Sequence, residues 1–271
     1  MHHYTLKEIH EKRFDPKRNR MRIISERYVV LNAIGKFVSP YPTYLFLNLG
    51  LTPDMITFVS IGFIIASAGF FLTEHAVIAS SGLLCFLLCD SVDGDMARVR
   101  GYTRYGGIID SYGADFFYAL IPSSIGFFLY SQGTTTATFS PEVTLVIAVL
   151  VSLTFMLYRM INIKLVGFLE REGVMVKGDV FSDINSEGTF SALSAARRMV
   201  KLFRHEAVKG NFFAEPGLVL WFSIGMFVGA YTALAWYLTA LLFYNLGWLA
   251  ITFVRSYVTF LRVEKTPRSN F

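Results

Sequence analysis

Five aspartates, Asp90, Asp93, Asp95, Asp110 and Asp115, lie in one stretch with Arg98, Arg100 and Arg104: DSVDGDMARVRGYTRYGGIIDSYGAD. Carboxylates in this number, with no His or Cys interleaved, suit a hard divalent cation such as Mg²⁺ or Mn²⁺, an ion used to hold phosphates. At about 100° per residue, Asp90 and Asp93 fall within about 60° of each other on one helical face, so their oxygens can converge on one ion. Asp95 turns about 200° away from Asp93 and reads as a surface charge or one lying behind the ligands. Gly94 and Ala97 remove side-chain bulk beside the carboxylates and leave room for a substrate. The three arginines supply positive charge where a phosphate would enter.

The elements that must position these residues are membrane helices. Of the 271 residues, 54% are hydrophobic, including 26 Phe and 14 Tyr, and the mean hydropathy is +0.47. That is more apolar than a soluble domain of this size. The expected fold class is an all-α integral membrane protein with six transmembrane helices and an N-terminal interfacial amphipathic helix. The spans are expected at about residues 54–73, 76–96, 106–131, 143–162, 216–234 and 236–261, each near the twenty residues that a bilayer core requires. Asp90, Asp93 and Asp95 then stand at the inner end of the second span, and Asp110 and Asp115 at the start of the third. Intramembrane carboxylates are costly unless they pair, meet an ion or line a wet cavity, so they mark function.

With the N-terminus inside, the outer loops fall near Glu74 and His75, at 131–142 and at 231–236, and none holds a Lys or Arg. This is the positive-inside asymmetry, and it predicts a cytoplasmic (inner) membrane protein whose aspartate cluster faces the cytoplasm. The first 22 residues are charged and lack an apolar signal core, so the start of the chain is expected to stay inside. The net charge of +5 is accounted for by anionic lipid headgroups and an anionic substrate, and no nucleic-acid partner is expected. Cys85 and Cys89, one turn apart in the second span, read as small buried apolar residues rather than a disulfide or metal site.

Residues 1–50 are expected to form a cytoplasmic N-terminal segment, 51–262 the transmembrane catalytic domain, and 263–271 a cytoplasmic tail. From Met21 to Val38 apolar residues recur at three-four spacing, which predicts the interfacial helix, ended by Pro40 and Pro42. The long cytoplasmic loop 166–213 turns from acidic to a basic amphipathic segment between Thr189 and Gly210, read as a helix resting on headgroups, with an active-site lid as the alternative. Glu215 reads as an N-terminal charge capping the fifth span.

The stretch around the aspartates resembles the signature of the CDP-alcohol phosphotransferase (CDP-alcohol phosphatidyltransferase) family, D-x2-D-G-x2-A-R, seven or eight residues, then G-x3-D-x3-D. The match runs through Asp90, Asp93, Gly94, Ala97, Arg98, Gly106 and Asp110. Each fixed position cuts chance matches roughly twentyfold, so seven in register is a specific signal. The earlier GLTPDMIT is similar to the family's TPN-x-(I/L)-T, with Asp54 in place of Asn. One departure stands out: four residues rather than three separate Asp110 from Asp115. In a regular helix this moves the last carboxylate from about 40° to about 140° away from its partner. A π-type turn, or a break at Gly113, would restore the alignment.

The resemblance implies transfer of a phosphoalcohol group from a CDP-linked donor to an acceptor hydroxyl, with release of CMP, as in phospholipid biosynthesis. It implies a six-helix homodimer with two divalent ions, Mg²⁺ or Mn²⁺, at the cytoplasmic face. Carried over, Asp90, Asp93, Asp110 and Asp115 are metal ligands and Asp115 is also the general base. Gly94, Ala97 and Arg98 bind the nucleotide. Arg159 and Arg255 are candidates for binding an acceptor phosphate, with snorkelling to headgroups as the plainer reading of each. A lipid donor of the CDP-diacylglycerol kind is favoured, because the Arg clusters suit an anionic soluble acceptor. A soluble CDP-alcohol acting on a lipid or glycan acceptor is the alternative. Two readings of another kind stay open: an ion-coupled transporter, and a family member that has lost catalysis.

Overall fold

The computed structural model describes residues 3–13, 30–101, 103, 105–136, 138–171 and 209–265. Among them there are nine α-helices and no strand. They are α1 (Leu6–Arg13), α2 (Val30–Val38), α3 (Pro40–Asn48), α4 (Pro53–Leu72), α5 (Ala76–Arg100), α6 (Gly106–Ser131), α7 (Pro141–Arg171), α8 (Gly217–Val228) and α9 (Tyr231–Lys265), with a π-type turn at Lys209–Phe213.

Local chemistry sets several of these limits. The Thr52 hydroxyl caps α4 by accepting from the Met55 N–H at 3.4 Å, Pro53 occupies the first turn, and Asp54 adds negative charge there. Arg98 and Arg100 sit in the last turn of α5, and Gly101 leaves it with φ +107°, a conformation that glycine tolerates. Gly229, at φ +71°, ends α8 in the left-handed cap.

The six long or apolar helices close into a ring: α4 packs on α5 and α6, α6 on α7, α7 on α9, α9 on α8, and α8 on α5. Phe71, Leu83, Phe86, Phe117, Ile121, Ile125, Phe222 and Leu238 fill its centre. Small residues allow the close approaches, as is usual where apolar packing rather than water expulsion joins helices. A Cβ on Gly126 would lie 2.2 Å from the Ala148 Cβ, so α6 and α7 touch there. The outside of the ring is apolar as well, with Phe58, Ile78, Leu153 and Phe253 exposed, as a lipid-facing surface requires.

Six spans were expected. Among the described residues, four helices are long and apolar enough to cross a membrane: α4, α5, Pro141–Leu169 of α7 and Tyr231–Leu261 of α9. Helix α6 has the length, at 26 residues, but carries Asp110, Asp115 and the internal Pro122. Helix α8 is apolar yet only 12 residues long, because the chain turns at Gly229 within the expected fifth span.

Other boundaries moved too. Helix α7 continues to Arg171, past the expected start of the loop at 166, and residues 172–208, which hold most of the expected amphipathic segment, lie outside the described residues. Of the expected interfacial helix, Val30–Val38 is helical and Met21–Val29 lies outside the described residues. Pro40 opens α3 immediately afterwards. Cys85, expected to be buried, is exposed on α5.

Candidate metal and phosphate site

Gly101 and the short link to Gly106 turn the chain so that the end of α5 faces the start of α6. The Thr103 hydroxyl donates to Asp54 Oδ1 at 2.9 Å, and a Cβ on Gly106 would meet that same hydroxyl at 2.7 Å. Asp54, in place of the family's Asn, therefore ties the start of α4 to this link. Arg100 reinforces it by donating to the Leu51 carbonyl at 2.9 Å.

Across this junction Asp90, Asp93 and Asp110 each present a carboxylate oxygen, and the three oxygens lie within 4.8 Å of one another. Asp93 is buried, and its Oδ2 accepts a 2.7 Å hydrogen bond from Thr57 on α4. Asp90 and Asp110 are exposed at the mouth. Three carboxylates this close repel strongly unless a cation or protons neutralise them, so the donor set fits a hard divalent ion.

Asp115 does not join them. Helix α6 is α-helical without a break from Gly106 to Ser131, so the expected π-type widening at 110–115 is absent. The extra residue rotates Asp115 onto α7, where its Oδ1 accepts from Arg159 Nε. Arg159 also donates to the Ser111 carbonyl at 3.1 Å and stacks 5.8 Å from the Tyr118 ring centre. Arg159 is thus fixed to α6 rather than reaching for headgroups, whereas Arg255 stands exposed on α9.

Asp95 is neither a surface charge nor a bystander. It is fully buried; its Oδ1 meets Arg98 Nη2 at 2.6 Å and Arg13 Nε at 3.0 Å, and its Oδ2 accepts from the Ser39 hydroxyl at 2.6 Å. Arg13, 1% exposed, comes from α1, which packs on α3 and α5. Its helical face was hard to foresee because α1 is mostly charged. Arg98, expected beside the nucleotide phosphates, folds back over Gly94, whose missing Cβ leaves room: one placed there would lie 3.1 Å from Nη2. Ala97 is buried as well.

Glu215 is the residue that sequence reasoning misjudged most. The Tyr118 hydroxyl accepts from its backbone N–H at 3.4 Å, and its Oε1 is buried with no hydrogen-bond partner. Burial first, then the charge of Asp90, pushes its carboxyl up to about 8. Glu215 and Asp90 share a cavity of about 400 Å³ otherwise walled by Ile34, Val38, Leu84 and Leu87. The sequence carried no periodic signal for this, since Glu215 sits in the turn before α8.

Residues 50–183 match the family model described as CDP-alcohol phosphatidyltransferase, which extends the resemblance from the aspartate signature through α7. No curated protein and no solved structure gives a significant match.

Proposed function

This chain belongs to the CDP-alcohol phosphatidyltransferase family, whose members transfer a phosphoalcohol group from a CDP-alcohol, and from that premise we propose that it moves a phosphatidyl group from a CDP-linked lipid to an acceptor hydroxyl, releasing CMP. The observation that carries the metal-dependent form of this reading is the convergence of Asp90, Asp93 and Asp110 within 4.8 Å.

These three residues would hold Mg²⁺ or Mn²⁺, two ions by family resemblance. Bound there, the ions supply charge neutralisation of the pyrophosphate and of the CMP leaving group. The rest falls to the chain. Thr57 holds Asp93 in place by its hydroxyl. Gly94, Ala97 and Arg98 are the residues proposed for the nucleotide by the family resemblance, and Arg98 is held by Asp95 until the nucleotide arrives. The acceptor oxygen bonds to the distal phosphorus of the donor, the bond from that phosphorus to the bridging oxygen breaks, and CMP departs with that oxygen. Asp115, whose Oδ1 is taken by Arg159, keeps Oδ2 to accept the acceptor's proton; its convergence with the other three aspartates is not supported, so we assign it as base and not as ligand. Arg159 and Arg255 are the cations proposed for an anionic acceptor.

The cavity beside Asp90 supports the lipid donor. Its apolar walls on α2 and α5 suit acyl chains, with the carboxylates at the charged head. A small soluble CDP-alcohol needs no such wall. Orientation rests on the turns at Thr73–His75, 132–140 and Gly229–Ala230, which hold no Lys or Arg and lie at the other end of the ring helices from the aspartates. In this reading α6 and α8 complete a six-helix bundle in the inner membrane, the exposed Phe37, Tyr41 and Leu45 of α2 and α3 lie in its cytoplasmic interface, and the protein works as a homodimer.

The test is CMP release by purified protein from CDP-diacylglycerol and from soluble CDP-alcohols, against a panel of acceptors, with Mg²⁺ or with EDTA. Metal-dependent release from the lipid donor is expected. Release from soluble donors alone would reverse the donor assignment, and no release from any donor would remove the transferase reading.

A further inference from the structure

We infer that Arg13 and Ser39 are positioning residues for the donor: they keep hold of Asp95, so that Arg98 can release it and take the donor's phosphates. This rests on the nucleotide reading of Arg98 given above.

The first observation is that two guanidiniums meet one carboxylate oxygen. Asp95 Oδ1 stands 2.6 Å from Arg98 Nη2 and 3.0 Å from Arg13 Nε. Its Oδ2 accepts from the Ser39 hydroxyl at 2.6 Å. Asp95 is fully buried, and leaving a buried carboxylate without its counter-charge is strongly destabilising. With Arg13 and Ser39 in place, the departure of Arg98 leaves Asp95 both charge-paired and hydrogen-bonded. The two guanidiniums also repel each other across the shared oxygen, which lowers the cost of moving one of them away.

The second observation decides which arginine leaves. Arg13 is anchored, with a side chain 1% exposed. One turn before it on α1, Ile9 is buried in a cluster with Leu47, Val92 and Met96. Asn48 of α3 fixes the start of the same segment: its Oδ1 accepts from the Tyr4 N–H at 3.0 Å, and its Nδ2 donates to the Tyr4 carbonyl at 3.2 Å. Arg98 is less committed. Its side chain is 12% exposed, and its Nε is buried yet finds no hydrogen-bond partner among the described residues. A buried donor left unused makes the present seat of Arg98 less favourable than one in which the whole fork is bonded.

The third observation is direction. Asp90, Gly94 and Arg98 follow one another at four-residue spacing along α5, which sets them on one stripe with about 6 Å of rise between neighbours. A Cβ on Gly94 would lie 3.1 Å from Arg98 Nη2 and 3.4 Å from Nη1. The guanidinium is therefore parked over Gly94, on the stripe that leads to Asp90 and the cation site. A planar fork of N–H donors is suited to phosphate oxygens, and rotation of this one side chain carries it from Asp95 toward a phosphate held there. Arg13 belongs to α1, packed on α3 and α5, and stays behind with Asp95.

The experiment is CDP binding to the purified full chain in detergent with Mg²⁺, measured by isothermal titration calorimetry, with thermal melts of the same samples to establish folding. Arg13→Gln is expected to raise the CDP dissociation constant at least about tenfold, the effect of giving up one hydrogen bond to a charged group without replacement. Arg13→Lys keeps the charge and should recover most of the affinity. The double variant Arg13→Gln/Asp95→Asn should recover it too, because an amide no longer detains Arg98, whereas an Arg13 that only braced the fold would leave the double variant weaker still. Ser39→Ala is expected to shift the constant the same way, about threefold or more. Should Arg13→Gln not fold, Ser39→Ala takes its place, with Asp95→Asn added to that background. Wild-type CDP affinity in the folded Arg13→Gln or its substitute, or no recovery on adding Asp95→Asn, overturns the inference while leaving the nucleotide reading intact, provided that Arg98→Gln weakens binding. If wild type binds no CDP, or Arg98→Gln binds it as tightly as wild type, the nucleotide reading of Arg98 fails and takes this inference with it.

Discussion

Replacing Asp93 by Asn should move stability in opposite directions with and without metal. Two unit charges 4.8 Å apart repel by about 3.5 kcal/mol at an effective dielectric of 20. Asp93→Asn removes two of the three pairs in the cluster, a gross relief of about 7 kcal/mol on the same basis. The wild-type site can instead take up a proton at neutral pH for about 4 kcal/mol, so that figure is the ceiling on what the substitution returns. The amide oxygen can still accept from the Thr57 hydroxyl, which preserves the contact made by Oδ2. In EDTA, therefore, the variant should melt at or above wild type.

Metal reverses the order. An ion present at about a hundred times its dissociation constant stabilises the native state by about 2.7 kcal/mol, roughly 5–10 °C for a chain of this class. Asp93→Asn should lose most of that shift, because it removes the most deeply buried of the three facing charges. The assay is a pair of thermal melts in detergent, EDTA against saturating Mg²⁺. A variant that melts well below wild type in EDTA, or that keeps the full Mg²⁺ shift, would refute the reasoning.

Three further outcomes follow from other contacts. Asp95→Ala should cost about 3–5 kcal/mol whether or not Mg²⁺ is present, because it strands Arg13 and Arg98 in a buried network; a surface charge would cost under about 0.5 kcal/mol in the same urea titration. Gly126→Ala should cost about 1–3 kcal/mol by forcing α6 from α7, and adding Ala148→Gly should restore most of the loss in thermal melts, a result that failure of the double variant would contradict. Asp115→Asn should slow turnover by about two orders of magnitude or more, as loss of a general base does, while leaving the Mn²⁺ dissociation constant unchanged; a large change in affinity would return Asp115 to the ligand set.

What could be read in the sequence was what depends on one helix and its neighbour. Asp90 and Asp93 share a face because three residues are nearly one turn, and Asp110 joins them because a link punctuated by Gly101 brings two helix ends together. The apolar runs gave four spans with nearly the right limits. Periodicity also turned Asp95 away from Asp93 correctly, but it is silent on what covers the other face. That cover is α1, a charged helix which no hydropathy argument would dock onto a membrane bundle. Asp115 shows the same limit: helical spacing alone turns it away from Asp110, but its partner, Arg159, belongs to another helix, α7. The π-type turn expected at 110–115 is absent there, and one occurs at Lys209–Phe213, just before Glu215, where its contacts come from α8 and α9.

The Arg13–Asp95 contact has a consequence for the order in which the molecule is made. Arg13 leaves the ribosome before α4 and α5 exist, and its partner follows only when α5 is nearly complete. Until then α1 has only α3 to dock on, and the buried Arg13 lacks the carboxylate of α5. Translation starting downstream of Arg13, or a protease cutting α1 from the newly made chain, would thus leave every carboxylate of the cluster in place and loosen the helix end that carries two of them. A purification tag fused ahead of Leu6 burdens that docking step directly, whereas one placed after Lys265 does not touch it.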